Sequence, residues 1–251
     1  MQISQFIFDT SSHTIYLLKG YAGTGKTSII GTIVSNLWKA KKSAVLLAPT
    51  GRAAKVISNY SKKEAFTIHK KIYFPKKNKG GGVNFVLQPN KHKNTIFIVD
   101  EASMIPDIPS DSKSFESTSL LDDLMQYVYS GHQCKLLLIG DKAQLPPVKS
   151  DLSPALDKNK LSLNYNKDVI GIELDEVVRQ ELDSGILENA TELRAVLETS
   201  IYESFKFSVS PFKDIIRLID GYEIMDAIND SYSNDVVYDE YNIDDHDYDY
   251  D

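Results

Sequence analysis

Gly20-Tyr21-Ala22-Gly23-Thr24-Gly25-Lys26-Thr27 is the stretch on which the reading of this chain turns. It fits G-x-x-x-x-G-K-[ST] at every position, the pattern of a loop that wraps backbone N–H groups around a polyphosphate. The flanks have the order that the pattern requires. Ile15-Tyr16-Leu17-Leu18 is a short apolar run of buried-strand type, and Ile29, Ile30, Ile33, Val34, Leu37 and Trp38 recur at helical spacing. Strand, glycine turn and helix start predict a site where the helix dipole adds to the loop amides. The nucleotide cradle is expected over Gly20, Ala22, Gly23, Thr24, Gly25, Lys26, Thr27 and Ser28. Lys26 is expected at the β- and γ-phosphates, and the Thr27 hydroxyl on Mg²⁺.

Working outward, Ala44–Ala48, Thr95–Val99, Lys135–Ile139 and Val169–Leu174 are further apolar runs of strand length. Helical patterns alternate with them, at 52–60 and roughly 119–130. That alternation predicts an α/β fold, a parallel sheet with helices on both faces. The basic stretch 61–95, with Phe66, Tyr73, Phe74 and Phe85 interleaved and a Gly80-Gly81-Gly82 turn, breaks the rhythm. It reads as a small insertion, with Val83–Leu87 as one arm of a hairpin. Two helical patterns, near 181–199 and 212–230, close the ordered part.

Composition bounds the class. Of 251 residues, 42% are apolar and 25% charged, as in ordinary globular proteins. No run approaches the length of a membrane span, and the N-terminus lacks a signal-peptide pattern. The single cysteine, Cys134, excludes an internal disulfide and reads as a core thiol, so a cytoplasmic setting is expected. The net charge of −7 is misleading. Eight acids and no Lys or Arg lie in residues 235–251, a low-complexity Asp/Tyr tail expected to be disordered. The rest of the chain holds 28 basic and 27 acidic side chains, and residues 52–93 alone carry eleven Lys or Arg against Glu64. Such a segment is either a solvated loop or the footprint of a polyanion.

Four further residues complete a hydrolytic site. Asp100-Glu101 leave the strand Thr95–Val99 as an adjacent pair. Nucleotide hydrolysis needs a carboxylate for the metal and a group that deprotonates or positions water, and Asp100 and Glu101 fit those roles. Gln144, in Gly140-Asp141-Lys142-Ala143-Gln144-Leu145-Pro146-Pro147, follows the next strand at the sheet edge where ligands sit. There it can touch both water and γ-phosphate. Arg179 follows the last strand and offers a guanidinium to the charge that develops in transfer. The Asp-Glu pair favours water as nucleophile, and no acceptor-binding lid is visible, which argues against a phosphotransferase.

Taken in order, the phosphate loop, Leu47–Ala54, Thr67-Ile68-His69, Val99–Met104, Gly140–Pro147 and Val178-Arg179-Gln180 resemble the first motor domain of a superfamily 1 DNA helicase, of the RecD-like and Dda-like branch. The resemblance covers roughly residues 15–200. It implies a P-loop NTPase (RecA-like) fold, ATP and Mg²⁺ as cofactors, and single-stranded DNA as partner, with other proteins of DNA replication, repair or recombination. It implies that Thr50, Arg52, Thr67 and His69 line the strand track, and that Lys26, Glu101, Gln144 and Arg179 serve hydrolysis and its coupling. It makes the 61–95 insertion an accessory hairpin, where cations neutralise phosphates and exposed rings stack on bases. The family reads adenine with an N-terminal Gln, and only Gln2 and Gln5 precede the loop here. The expected organisation is a motor domain over 1–200, a helical extension over 201–232 that begins a truncated second domain, and the acidic tail over 233–251. With no second motor domain recognisable after Arg179, weak binding of ATP and DNA and slow or absent turnover are expected. A nucleotide- and DNA-binding module without turnover is the alternative.

Overall fold

Residues 15–18 are apolar without a break, and a strand of that kind needs cover on both faces. The computed structural model supplies it. It describes residues 3–11, 13–77, 83–109, 119–144, 146–147, 153–174, 184–199, 205–212, 214–215, 218 and 221–235. The chain divides into two compact units, residues 1–180 and 181–251.

The first unit begins with α1 (Ile3–Phe8), β1 (Thr14–Gly20), α2 (Lys26–Asn36), β2 (Ser43–Ala48), α3 (Gly51–Ser61), β3 (Ala65–Thr67) and α4 (Ile68–Ile72). A hairpin of β4 (Tyr73–Lys77) and β5 (Val83–Leu87) follows. Then come β6 (Thr95–Val99), α5 (Leu120–Ser130), β7 (Lys135–Gly140), α6 (Lys158–Tyr165) and β8 (Asp168–Leu174). Six strands form one sheet in the order β3-β2-β6-β7-β1-β8. All five pairings are parallel.

Strand alternation sends neighbours to opposite faces. Ile15 and Leu17 enter one core layer with Ile68 of α4, Leu124 and Val128 of α5 and Leu161 of α6. Tyr16 and Leu18 enter the other, with Phe6 of α1, Ile30 and Ile33 of α2 and Ile57 of α3. Every residue of β6 and β7 is buried, as central strands covered on both sides must be. Cys134 is a buried free thiol. Among the described residues no helix is long and apolar enough to cross a membrane.

Three elements differ from the sequence reading. The sequence pattern gives no element ahead of Ile15, yet α1 buries Phe6 completely against Tyr16, ring centroids 5.3 Å apart. The buried Lys135 at the start of β7 fastens α1: its Nζ donates to the Phe6 carbonyl (2.8 Å) and pairs with Asp9 (3.3 Å). The insertion is narrower than 61–95, because Ala65–Thr67 pair with Leu46–Ala48 as an edge strand of the main sheet. What departs from the sheet is the antiparallel hairpin, in which Tyr73 faces Leu87 and Lys77 faces Val83. Finally, α6 lies between β7 and β8, where the sequence pattern gives no helix. Asp157 starts it, its Oδ1 accepting from the N–H groups of Asn159 and Lys160.

In the second unit, α7 (Gly185–Thr199) and α8 (Gly221–Asp235) are described. Asp214 anchors the start of α7, accepting from Ser184 Oγ (2.7 Å) and the Gly185 N–H (2.8 Å). Asn189 bonds both ways with the backbone of Ser208. The second helical pattern begins at 221 rather than 212. Arg179, Gln2, the Gly80–Gly82 turn and the tail from 236 lie outside the described residues.

Candidate active site

The site is assembled at the carboxyl edge of the sheet, where β1, β7, β6 and β2 release their loops. The loop after β1 turns on Gly23 (φ 81°) and Gly25 (φ 85°), in the left-handed region that side chains disfavour. Gly25 precedes α2 and no side chain caps that helix. Its first-turn N–H groups therefore point at the loop without an intrahelical partner, the arrangement that suits an anion. Thr24 Oγ1 donates to the Tyr21 carbonyl (2.8 Å), which closes the turn. Lys26 Nζ donates to the carbonyls of Gly20 (2.8 Å) and Tyr21 (2.7 Å), so the ammonium is held over the loop mouth. Thr27 and Ser28 follow in the first turn of α2.

Asp100 and Glu101 leave β6. The Asp100 N–H donates to the Leu47 carbonyl (3.0 Å), which extends the ladder one residue past the strand. Glu101 then takes φ 53°, a left-handed conformation rare for a non-glycine residue. The Glu101 N–H donates to Asp100 Oδ1 (3.0 Å). Burial raises the Asp100 pKa, partly offset by that N–H and by the Lys26 charge. Burial also raises Glu101, with the charge of Asp100 adding to it, while Lys26 and a hydrogen bond with Gln144 pull it down. Two carboxyls shifted by burial and by a specific charge partner at a sheet edge mark a candidate functional site.

Gln144 reaches the pair from the loop after β7. Ser103, fully buried, donates its hydroxyl to Gln144 Oε1 (3.3 Å). That bond orients the amide so that its NH₂ remains a donor. Asp141, also buried, shapes the turn by accepting from the Ala143 N–H (2.8 Å). Sequence reasoning gave neither Ser103 nor Asp141 a part, although both lie inside the quoted motifs.

A cleft of about 710 Å³ opens beside these groups, lined among others by Thr50, Arg52, Asp100, Glu101, Met104 and Gln144. Two of the four expected strand contacts thus share a cavity with the acidic pair. Thr50 has a structural task as well: its hydroxyl accepts from the Ala53 N–H (3.2 Å) and caps α3. Thr67 does the same for α4 through the Lys70 N–H (3.2 Å). Thr67 ends β3, one strand farther out, and His69 follows in α4, where it lies against Tyr73, ring centroids 5.8 Å apart. Because Thr50 is a cap, Thr50→Ala is expected to cost about 1 kcal/mol of unfolding free energy. Thr50→Ser should restore it, and denaturant melts of both variants check this.

Among the described residues no three His, Cys, Asp or Glu side chains cluster for a metal. Mg²⁺ in nucleotide sites takes one or two protein oxygens and completes its shell with phosphate and water. The Thr27 hydroxyl and the buried Asp100 carboxylate fit that donor set, since Lys26, the neighbour of Thr27, is close enough to act on Asp100.

The raised Asp100 pKa has a measurable consequence. A carboxyl with a folded-state pKa above its unfolded value favours the fold most when protonated. Its contribution falls as pH rises from about 3.9 towards the folded value. Asp100→Asn removes the charge and keeps an acceptor for the Glu101 N–H. It is expected to raise Tm at pH 7 by roughly 2–4 °C, the effect of about 1 kcal/mol in a domain this size. The gain should vanish below about pH 3.9, which thermal melts at the two pH values check.

Comparisons with known proteins identify the family. A family described as an AAA domain matches residues 4–150. The ATP-dependent DNA helicase dda of Enterobacteria phage T4 is 31% identical over 180 residues, 70% of this chain and 37% of that protein. The ATP-dependent RecD2 DNA helicase of Deinococcus radiodurans is 30% identical over 143 residues, 57% of this chain and 17% of that protein. The crystal structure of Pif1 helicase from Candida albicans superposes with a TM-score of 0.49 at 20% identity, covering 92% of this chain and 53% of the other. The chain thus spans little more than a third of the phage relative. Matched by that family over more than half its length, it belongs to the AAA-domain family and carries a motor domain of the superfamily 1 helicase kind.

Proposed function

We propose that this chain binds and hydrolyses ATP with Mg²⁺ and couples the cycle to single-stranded DNA, as the motor domain of a DNA helicase. One observation carries the reading: β7 separates β1 from β6 in the sheet. With strands about 4.8 Å apart, the phosphate loop and the Asp-Glu pair are separated by roughly 10 Å at the sheet edge. That gap has room for a γ-phosphate and a water, and Gln144, from the intervening strand, stands at its centre.

In this reading the loop amides and Lys26 hold the β- and γ-phosphates. Thr27 and Asp100 would hold Mg²⁺, which would supply positive charge to the phosphate oxygens. Glu101 accepts the proton of the attacking water. Its raised pKa brings it nearer neutrality, where a general base is most effective, and the charge of Lys26 opposes that rise. The Gln144 amide, oriented by Ser103, donates to the water or the γ-phosphate oxygen and so reports phosphate loss to the loop that carries it. Arg179 takes the role of the arginine that stabilises the transferring phosphoryl group. Thr50, Arg52, Thr67 and His69 form the strand track. The hairpin, with Phe74 and Phe85 exposed beside Lys76 and Lys77, adds cations and rings for a strand or junction.

The deciding experiment is ATP hydrolysis by the purified chain with and without a single-stranded oligonucleotide. Stimulated turnover supports the motor reading. Nucleotide binding with no turnover under either condition would replace it with a regulated binding module.

A further inference from the structure

A second cavity, of about 380 Å³, lies behind Gln144. Lys19, Lys142 and Lys158 line it, with Asp157, Asn159 and Gln144 itself. No residue of the phosphate loop lines it. Lys19 is the last side chain of β1 before the loop and shares the strand parity of Ile15 and Leu17. It therefore projects to the α5/α6 face of the sheet, away from α2. Lys19 and Lys158 also line an adjoining cavity of about 220 Å³ together with Glu173.

The charges there are unevenly matched. Lys142 pairs with Glu173 at 2.5 Å. Asp157 spends its Oδ1 on the first N–H groups of α6. Among the described residues, the ammonium groups of Lys19 and Lys158 make neither a hydrogen bond nor an ion pair. Lys19 is partly buried. Burial pushes its pKa down, and the charges of Lys142 and Lys158 push it further, while Glu173 and Asp157 oppose them. Crowded ammonium groups facing a concave space are costly unless an anion joins them.

We propose that Lys19, Lys142 and Lys158 form a second phosphate-oxyanion site, on the far side of Gln144 from the Asp100–Glu101 cleft. Because Gln144 lines both cavities, occupancy of one bears on the amide that serves the other. The chemistry is that of a phosphate with free oxygens, supplied either as inorganic phosphate or by a nucleic-acid backbone. The inference does not depend on turnover, so an inactive chain leaves its test standing.

Lys26→Ala silences the phosphate loop, and inorganic phosphate is titrated into that variant by calorimetry. A one-site isotherm is expected. Adding Lys19→Met and Lys158→Met should weaken it about ten-fold or more, the loss of hydrogen bonds to charged groups. Lys19→Arg with Lys158→Arg should retain it. In parallel, a fifteen-residue oligothymidylate is titrated at several salt concentrations. If the backbone is the source, the two Met substitutions lower the salt slope by about 1.4. A loss confined to inorganic phosphate makes the free anion the ligand. If neither probe responds to the Met substitutions, or phosphate does not bind and the oligonucleotide is indifferent, the proposal is overturned. Lys158 is exposed at the start of α6, so Lys158→Met alone keeps the test readable should the double variant fail to fold.

Discussion

Glu101→Gln is expected to reduce oligonucleotide-stimulated ATP turnover by about 10²–10⁴-fold, the contribution of a positioned general base, while leaving ATP affinity within a factor of a few. The amide is nearly isosteric and can still bond with Gln144, but it cannot accept a proton from water. The left-handed backbone at Glu101 is a demanding conformation, and Gln tolerates it as Glu does, so the fold should persist. The substitution also removes the half-buried charge beside the buried Asp100, and the variant is therefore expected to be no less stable than the parent at pH 7. Single-turnover hydrolysis and a fluorescent-nucleotide titration, run on the same preparation, separate the two effects. Turnover within ten-fold of the parent would remove Glu101 from the role of base and turn attention to another carboxylate such as Asp141.

Lys26→Ala should act at the earlier step. Removing one member of a hydrogen-bonded charge pair costs about 2–5 kcal/mol, so nucleotide affinity should fall at least about 30-fold. Lys26 has a second task in the free chain. Its charge lowers the pKa of both Asp100 and Glu101, and without it both carboxyls should titrate higher still. The variant is thus expected to lose stability at pH 7 relative to the parent and to recover the difference at low pH, where both acids are protonated. Lys26→Arg, which keeps the charge in a bulkier fork, should restore the pH profile and not the affinity. That contrast distinguishes a steric and electrostatic cradle from simple charge balance.

The phosphate loop and the Asp-Glu pair were legible in the sequence because their chemistry is local. Two glycines at positive φ, a lysine and a threonine suffice to define a loop of this kind, and the apolar runs on either side state the elements it joins. The five long strands were legible for the same reason. The three-residue β3 was not, since a strand that short carries no period, and the basic composition around it pointed to an insertion. The helix α1 was hidden because its burial rests on one residue, Phe6, and on a lysine 129 positions away whose ammonium bonds its C-terminal carbonyl. Thr50 and Thr67 were read as strand contacts by resemblance, while their helix-capping bonds needed the start of each helix to be known to the residue.

By itself, then, the sequence determined a parallel α/β sheet with a phosphate loop at one strand end and an acidic pair at another. What only the tertiary structure decided is which ends are neighbours. Backbone hydrogen bonds between parallel strands are alike whatever the side chains, so apolar runs declare that strands are buried without declaring their order. The order β2-β6-β7-β1 is set by how the helices cover both faces. It alone brings Gln144 between Lys26 and Glu101, stands Ser103 behind the amide, and leaves Lys19 facing a cavity on the opposite side of the same residue.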